Sequence, residues 1–261
     1  MIDVGGRAAR AATVRTWRMR ARLGDTVVRL LDVVIAAVLL ALFAVLIVAL
    51  AVAIKVDSRG PALYRSRRVG KRGREFEMLK FRKMRDGVDG CRLTAPEDDR
   101  FTRLGRFLAQ TKLDELPQLW NVVKGQMSLV GPRPEDPVFA DRFRAELEPV
   151  LRVRPGITGL SQLAFARESE ILDAVDREAH YIERILPQKI HMDSMYATQR
   201  SAKSYMGILV WTAVAVVLRR DVAVHRTTGA LRLRRRSQLE PSAPVLTPRE
   251  LSPVPLEQTG S

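Results

Sequence analysis

Asp114 and Glu115 stand side by side in TKLDELPQLWNVVKGQMSLVGPRPE, residues 111–135, in a chain that is otherwise strongly basic. Adjacent carboxylates can cap a helix, hold a divalent cation, or attack a phosphorus atom whose negative charge has been screened. Pro117 bears on the first of these, because proline is tolerated only in the first turn of a helix. That places Asp114 at or next to an N-cap, where free amides and the positive end of the helix dipole favour its ionised form and a phosphate held beside it. On this helix alone, a capping Asp followed by a first-turn Glu is the simpler explanation.

The neighbouring cations shift that balance. Lys80 and Arg82 in KFRKM, Arg103 and Arg106 in RFTRLGR, and Arg133 in GPRP lie next to turn residues or strand ends. Those are positions suited to gripping a diphosphate. Each alone is a solvated surface charge. Together they describe a phosphate whose charge is neutralised and an aspartate able to attack it. Mg²⁺ would assist, since it binds one or two carboxylates together with substrate phosphates.

The rest of the chain must bring these groups together. It has 261 residues, 44 Lys and Arg against 29 Asp and Glu, and a net charge of +15, so anionic partners are expected: nucleic acid, acidic lipid or phosphorylated small molecules. Cys91 is the single cysteine, and no internal disulfide can form. Residues 1–24 read as a basic, solvated arm. Val33 to Ile54 is unbroken apolar sequence of about 22 residues, the length a helix needs to cross a hydrocarbon core, within a membrane-embedded helix expected over 25–56. Its length and the Lys55-Val56-Asp57 that follows argue against a cleaved secretory signal.

Basic residues flank the apolar run on both sides, so a spanning helix would put one cationic cluster on the outer face. A re-entrant helix keeps both inside and is favoured, although the run has no Pro or Gly to bend it. Next, VGKRGR between runs containing Tyr64, Phe76, Met78 and Phe81 predicts a β-hairpin with a cationic loop. Leu113, Leu116, Leu119, Trp120 and Val123 fall on one face at helical spacing. The apolar core of Lys203 to Arg220 is too short to span, leaving a core helix or an interfacial helix with Tyr205 and Trp211 near the headgroups. Residues 221–261, with an Arg cluster and five prolines from Pro241 to Pro255, read as a basic tail without order of its own.

IKVDSRGPALYRSRRVG, FEMLKFRKM, DRFTRLGRFL, LDELPQLWNVVKGQMSLVGPRPE and VRPGITGLSQL occur in an order that resembles the bacterial sugar transferase family, the monotopic phosphoglycosyl transferases. The resemblance runs from about Leu30 to Arg220. It implies an enzyme that moves a sugar 1-phosphate from a nucleotide diphosphate sugar, usually a UDP-sugar, to polyprenyl (undecaprenyl) phosphate and releases UMP, the first step of exopolysaccharide or glycoconjugate assembly. It also implies a phosphosugar-aspartyl intermediate on Asp114, Glu115 supporting the dyad, and Mg²⁺ held by Asp114 and Glu115. Lys80, Arg82, Arg106 and Arg133 are then the expected substrate contacts. Two departures stand out: Ala44 and Val45 occupy the place of the family's helix-bending Ser-Pro, and Ala109 that of an Arg before the dyad.

The expected architecture is therefore α+β and mainly helical, with a membrane-embedded N-terminal helix, a small β-hairpin, interfacial amphipathic helices, and a catalytic domain over 57–220. The expected place is the cytoplasmic face of the bacterial inner membrane, because a polyprenyl phosphate keeps its tail in lipid while a nucleotide sugar arrives from water. Membrane lipid is a further partner; a second copy of the chain and later glycosyltransferases of the pathway are others to look for. The rival use of the charge is a membrane-anchored binder of nucleic acid or acidic lipid. An aromatic content of 6%, without aromatics interleaved in the basic patches, weighs against nucleic acid. A catalytically dead scaffold would not need the intact LDELPQL block.

Overall fold

The computed structural model describes residues 25–87, 98–166 and 177–234; the basic arm, Cys91 and the Pro-rich end of the chain lie outside the described residues. The apolar run forms two helices, α1 (Asp25–Leu42) and α2 (Ala44–Asp57), which meet at 62°. The helix expected over 25–56 is thus divided in two by a bend. The break is at Phe43, φ −94° and ψ 8°, with neither Pro nor Gly in the segment. It falls where the inner face changes partner: Ile35, Ala36, Leu39 and Leu40 pack with Leu119, Val122, Met127 and Leu129, whereas Ile47, Leu50, Ala51 and Ile54 pack with Phe81 and Leu108. Two core clusters thus each take one half of the run. No single helix among the described residues is long and apolar enough to cross a membrane.

The hairpin appears as expected. β1 (Leu63–Val69) pairs antiparallel with β2 (Glu75–Phe81) in the register Leu63↔Phe81 to Val69↔Glu75. α3 (Arg103–Thr111) and α4 (Gln118–Val123) follow, then β3 (Ser128–Val130), α5 (Pro137–Arg142), β4 (Gly156–Thr158) and α6 (Leu160–Ala164). β3 and β4 are parallel, with Ser128 opposite Gly156 and Val130 opposite Thr158. Their close approach requires glycine: a Cβ on Gly156 would lie 2.1 Å from the Gly131 nitrogen. α7 (Arg177–His180) passes through a π-helical turn, Tyr181–Ile185, into α8 (Leu186–Gln199), and α9 (Ala202–Val217) closes the core.

One polar pair fixes α1 to this body. Arg29 donates to the carbonyls of Val122 (2.7 Å), Val123 (3.1 Å) and Met127 (3.3 Å) at the end of α4. Three residues on, buried Asp32 accepts the Tyr205 and Ser128 hydroxyls, each at 2.6 Å, and the Leu129 amide at 2.9 Å. A buried carboxylate with three donors is satisfied, so it can sit in an otherwise apolar helix. Tyr205 is therefore buried by this bond, as the core-helix reading of α9 has it, and Trp211 packs half-buried against the cluster around Leu160 and Ile208.

Residues 221–234 also depart from the expected unordered tail. β5 (Val222–Val224) and β6 (Leu231–Leu233) form a short antiparallel hairpin, with Val222 buried.

Candidate active site

α3 stops at Lys112, whose φ of 59° and ψ of 14° are left-handed. A 3₁₀ turn, Leu113–Glu115, carries the carboxylates, and α4 begins only at Gln118 with Pro117 as its N-cap. Asp114 therefore does not cap the helix that Pro117 opens, because a separate turn intervenes. With three residues per 3₁₀ turn, successive side chains diverge by about 120°. The two carboxylates accordingly meet different cations. Asp114 Oδ2 lies 3.6 Å from Lys83 Nζ, while Glu115 Oε1 lies 3.2 Å from Lys80 Nζ and 3.9 Å from Arg133 Nη1.

Burial pushes the Glu115 carboxyl up, but Lys80, then Arg133 and Lys112, outweigh it and hold the group at about 2. Glu115 is thus an anion at any working pH. Burial pulls the Lys80 ammonium down from its ordinary value, with Glu115 opposing the shift.

Of the cations expected from sequence, Lys80 and Arg133 reach the dyad. Arg82 does not. Its buried guanidinium instead donates to the Ser58 carbonyl (2.7 Å), the Ser58 hydroxyl (3.0 Å), the Ile54 carbonyl (3.4 Å) and the Arg59 carbonyl, closing the end of α2. β2 ends at Phe81, so strand alternation no longer sets where residues 82 and 83 point. Arg82 turns to α2, and Lys83, which sequence reasoning passed over within the same KFRKM, turns to Asp114. Arg106 is exposed on α3, and among the described residues no ion pair joins it to the dyad.

Asn121 was also missed. Its side chain accepts the Leu79 amide at 2.9 Å and donates to the Glu77 carbonyl at 2.7 Å and to Gln126 Oε1 at 2.7 Å. That clamp fixes β2 against α4, and so Lys80 against Glu115. It also sets the helix face: Gln118, Asn121 and Val122 are buried with Leu119, whereas Trp120, expected inside, is 47% exposed. Of the five apolar residues at helical spacing, Leu119, Trp120 and Val123 fall in α4, and they gave the right element but not its rotation.

Arg133 is held by its own backbone, whose amide donates to buried Asp193 Oδ2 at 3.3 Å; the Ser161 hydroxyl donates to the same oxygen at 2.9 Å. Asp193 Oδ1 is buried without a hydrogen-bond partner among the described residues. Burial pushes this carboxyl from its ordinary 3.8 to about 7, with Ser161, the Arg133 amide and Lys189 pulling the other way. The folded chain keeps the proton that the unfolded chain releases. The resulting stability is complete below the unfolded value and is lost as pH rises between about 4 and 7. Asp193→Asn retains an acceptor oxygen without the charge, so it should raise the melting temperature by about 4 °C at pH 7.5 and change it least at about pH 4. Equal pH dependence in both proteins would contradict this.

The dyad offers hard oxygen donors, and no group of three or more His, Cys, Asp or Glu among the described residues forms an all-protein metal cage. Mg²⁺ typically takes one or two carboxylates and completes its shell with phosphate and water, so Asp114 and Glu115 fit it. Phosphates entering here would meet Lys80, hydrogen-bonded to Glu115, and Lys83 and Arg133, each in a looser ion pair with a carboxylate.

The profile of the bacterial sugar transferase family matches residues 23–219. The chain is 48% identical over 140 residues to a UDP-glucose:undecaprenyl-phosphate glucose-1-phosphate transferase of Caulobacter vibrioides, covering 52% of each chain. It is 37% identical over 161 residues to a UDP-N-acetylgalactosamine-undecaprenyl-phosphate N-acetylgalactosaminephosphotransferase of Aeromonas hydrophila, covering 59% of this chain and 38% of that one. A Klebsiella pneumoniae UDP-glucose:undecaprenyl-phosphate glucose-1-phosphate transferase is 35% identical over 159 residues, covering 59% and 34%. The chain therefore spans about half the length of the first relative and about a third of the other two. The matched residues include both helices of the bent pair, the hairpin and the dyad, and on this extent the chain belongs to the bacterial sugar transferase family.

Proposed function

We propose that this chain transfers a sugar 1-phosphate from a UDP-sugar to polyprenyl phosphate and releases UMP. The observation that carries this is the adjacent Asp114 and Glu115, each ion-paired to a different cation, in a chain of this family. Asp114 is the nucleophile. Its carboxylate forms a bond to the phosphorus next to the sugar, the bridging bond of the diphosphate breaks, and its electron pair leaves with UMP. An oxygen of polyprenyl phosphate then attacks the same phosphorus and the aspartyl bond breaks, which restores the carboxylate. Glu115, fixed as an anion, holds Lys80 and Arg133 at the phosphates. Mg²⁺ held by Asp114 and Glu115 would add positive charge at the diphosphate.

Membrane embedding at the cytoplasmic face is part of this reading. Val34, Val38, Leu42, Val45, Val48, Val52 and Val56 are all at least half exposed, at the three- and four-residue spacing of one continuous face of α1 and α2. An apolar surface of that extent is not left to water. Met206, Val210, Val217 and Leu218 expose a second apolar face on α9 and its end. Phe107 and Trp120 stand exposed on the helices that flank the dyad. Together these support a site at headgroup level, reached by the acceptor from lipid and by the donor from water. The 62° bend supports the re-entrant arrangement, which leaves both basic flanks in the cytoplasm.

The test is to offer membrane fractions a panel of UDP-sugars with polyprenyl phosphate and measure UMP from each. Acceptor-dependent UMP from at least one donor is expected. Absence of UMP from every donor, with the chain folded and membrane-bound, would overturn the reading.

A further inference from the structure

We propose that Lys83 is a further catalytic residue, whose ammonium grips the donor's diphosphate at the phosphorus that Asp114 attacks. This rests on the phosphosugar transfer proposed above and adds to it a group specific to one carboxylate of the pair. Lys80 and Arg133 serve Glu115; only Lys83 stands at Asp114 among the ion pairs of the described residues.

Its position is built rather than incidental. The Lys83 carbonyl accepts the Thr102 amide at 3.1 Å. A Cβ on Gly105 would lie 1.8 Å from that same carbonyl oxygen, so α3 can approach only because residue 105 has no side chain. The Thr102 hydroxyl in turn accepts the Gly105 amide at 2.9 Å and caps α3. The Lys83 ammonium lies 5.7 Å from the centroid of the Phe101 ring, a further support for the stem. Phe101, Thr102 and Gly105 of DRFTRLGRFL are thereby accounted for as the frame of Lys83.

The burial of the pair is unequal. The Asp114 side chain is 3% exposed and that of Lys83 27%, so the lysine approaches the fixed carboxylate from the open side, where a donor must enter. At 3.6 Å the contact is an ion pair and too long for a hydrogen bond, leaving the ammonium free to turn its donors toward a phosphoryl oxygen. When the Asp114 oxygen bonds to phosphorus it loses its charge, while the phosphoryl oxygens remain charged within a few ångströms. The ammonium changes partner without transferring a proton. Its attraction is thereby directed to the phosphoryl group during the attack, which is the differential stabilisation that accelerates a step.

A lysine that merely neutralised buried Asp114 would affect stability and leave phosphate affinity alone. The experiment therefore measures three quantities on the full chain in lipid nanodiscs: UMP formation, melting temperature, and equilibrium binding of UDP in an Asp114→Asn background, where no chemistry occurs. Lys83→Met and Lys83→Gln, the second retaining a polar stem should the first misfold, are each expected to lower UMP formation by about 30-fold and to weaken UDP binding by about 10-fold. Lys83→Arg is expected to recover part of the UDP affinity by restoring charge. An active wild type beside a folded Lys83→Gln within threefold of it, or unchanged UDP affinity, overturns the role of Lys83 alone. A wild type that forms no UMP from any donor removes the transfer reading on which the role rests.

Discussion

Asp114→Asn is expected to abolish UMP release and lipid-linked product while the chain stays folded and membrane-bound. The substitution keeps the shape of the side chain and removes the anion that would bond to phosphorus. An amide is no substitute as a nucleophile, so the loss should be at least about 1,000-fold, the scale seen when a nucleophile is deleted from an otherwise intact site. Folding should survive, because the cation left behind, Lys83, has an open side to water and is not stranded in the core. Product assays alongside a melting curve check both halves. Turnover within tenfold of wild type would remove Asp114 from the role of nucleophile.

Arg82→Met is expected to act in the opposite way, on stability and not on substrate affinity. Arg82 is 6% exposed, and its guanidinium satisfies the Ser58 and Arg59 carbonyls just beyond the end of α2 and shares the Ile54 carbonyl with the Ser58 amide. Removing it strips these partly buried acceptors of a charged donor and leaves a thioether chain in its place, at a cost of about 3 kcal/mol. That corresponds to a fall of about 10 °C in melting temperature for a domain of this size. The Michaelis constant for the UDP-sugar in the folded fraction should stay within twofold of wild type. A raised Michaelis constant with an unchanged melting curve would instead restore Arg82 to the phosphate contacts that its place in KFRKM suggests.

That contrast shows what the sequence could and could not display. The dyad, Lys80, Arg133 and the hairpin were legible, because carboxylate adjacency, glycine-marked loops and alternating runs are local patterns. Lys83 and Arg82 were not separable by such means: both are cations in one short motif, and only the end of β2 at Phe81 decides which of them turns to the site. Asn121 and Asp193 act through backbone amides and carbonyls far away in the chain, which no spacing rule reveals. Asp32 belongs to the same group, a carboxylate one residue before the apolar run whose three donors come from β3 and α9.

The bend at Phe43 is legible only in part. The flanking charges favour a run that bends back, but without Pro or Gly nothing in the sequence marks where, and its division follows from two core clusters that each capture one half. The hairpin in residues 221–234 was hidden for a related reason. Its composition is that of a charged tail, yet Val222 finds a buried place beside α6 that composition alone does not report.

The central claim is that Asp114 becomes covalently bonded to phosphorus. Incubation with the UDP-sugar alone, followed by rapid acid quench, proteolysis and mass spectrometry, tests it most directly. The account predicts a phosphosugar adduct on the peptide that contains Asp114, absent from Asp114→Asn and discharged when polyprenyl phosphate is added. Full turnover with no adduct on any peptide, or an adduct on a different residue, would contradict it.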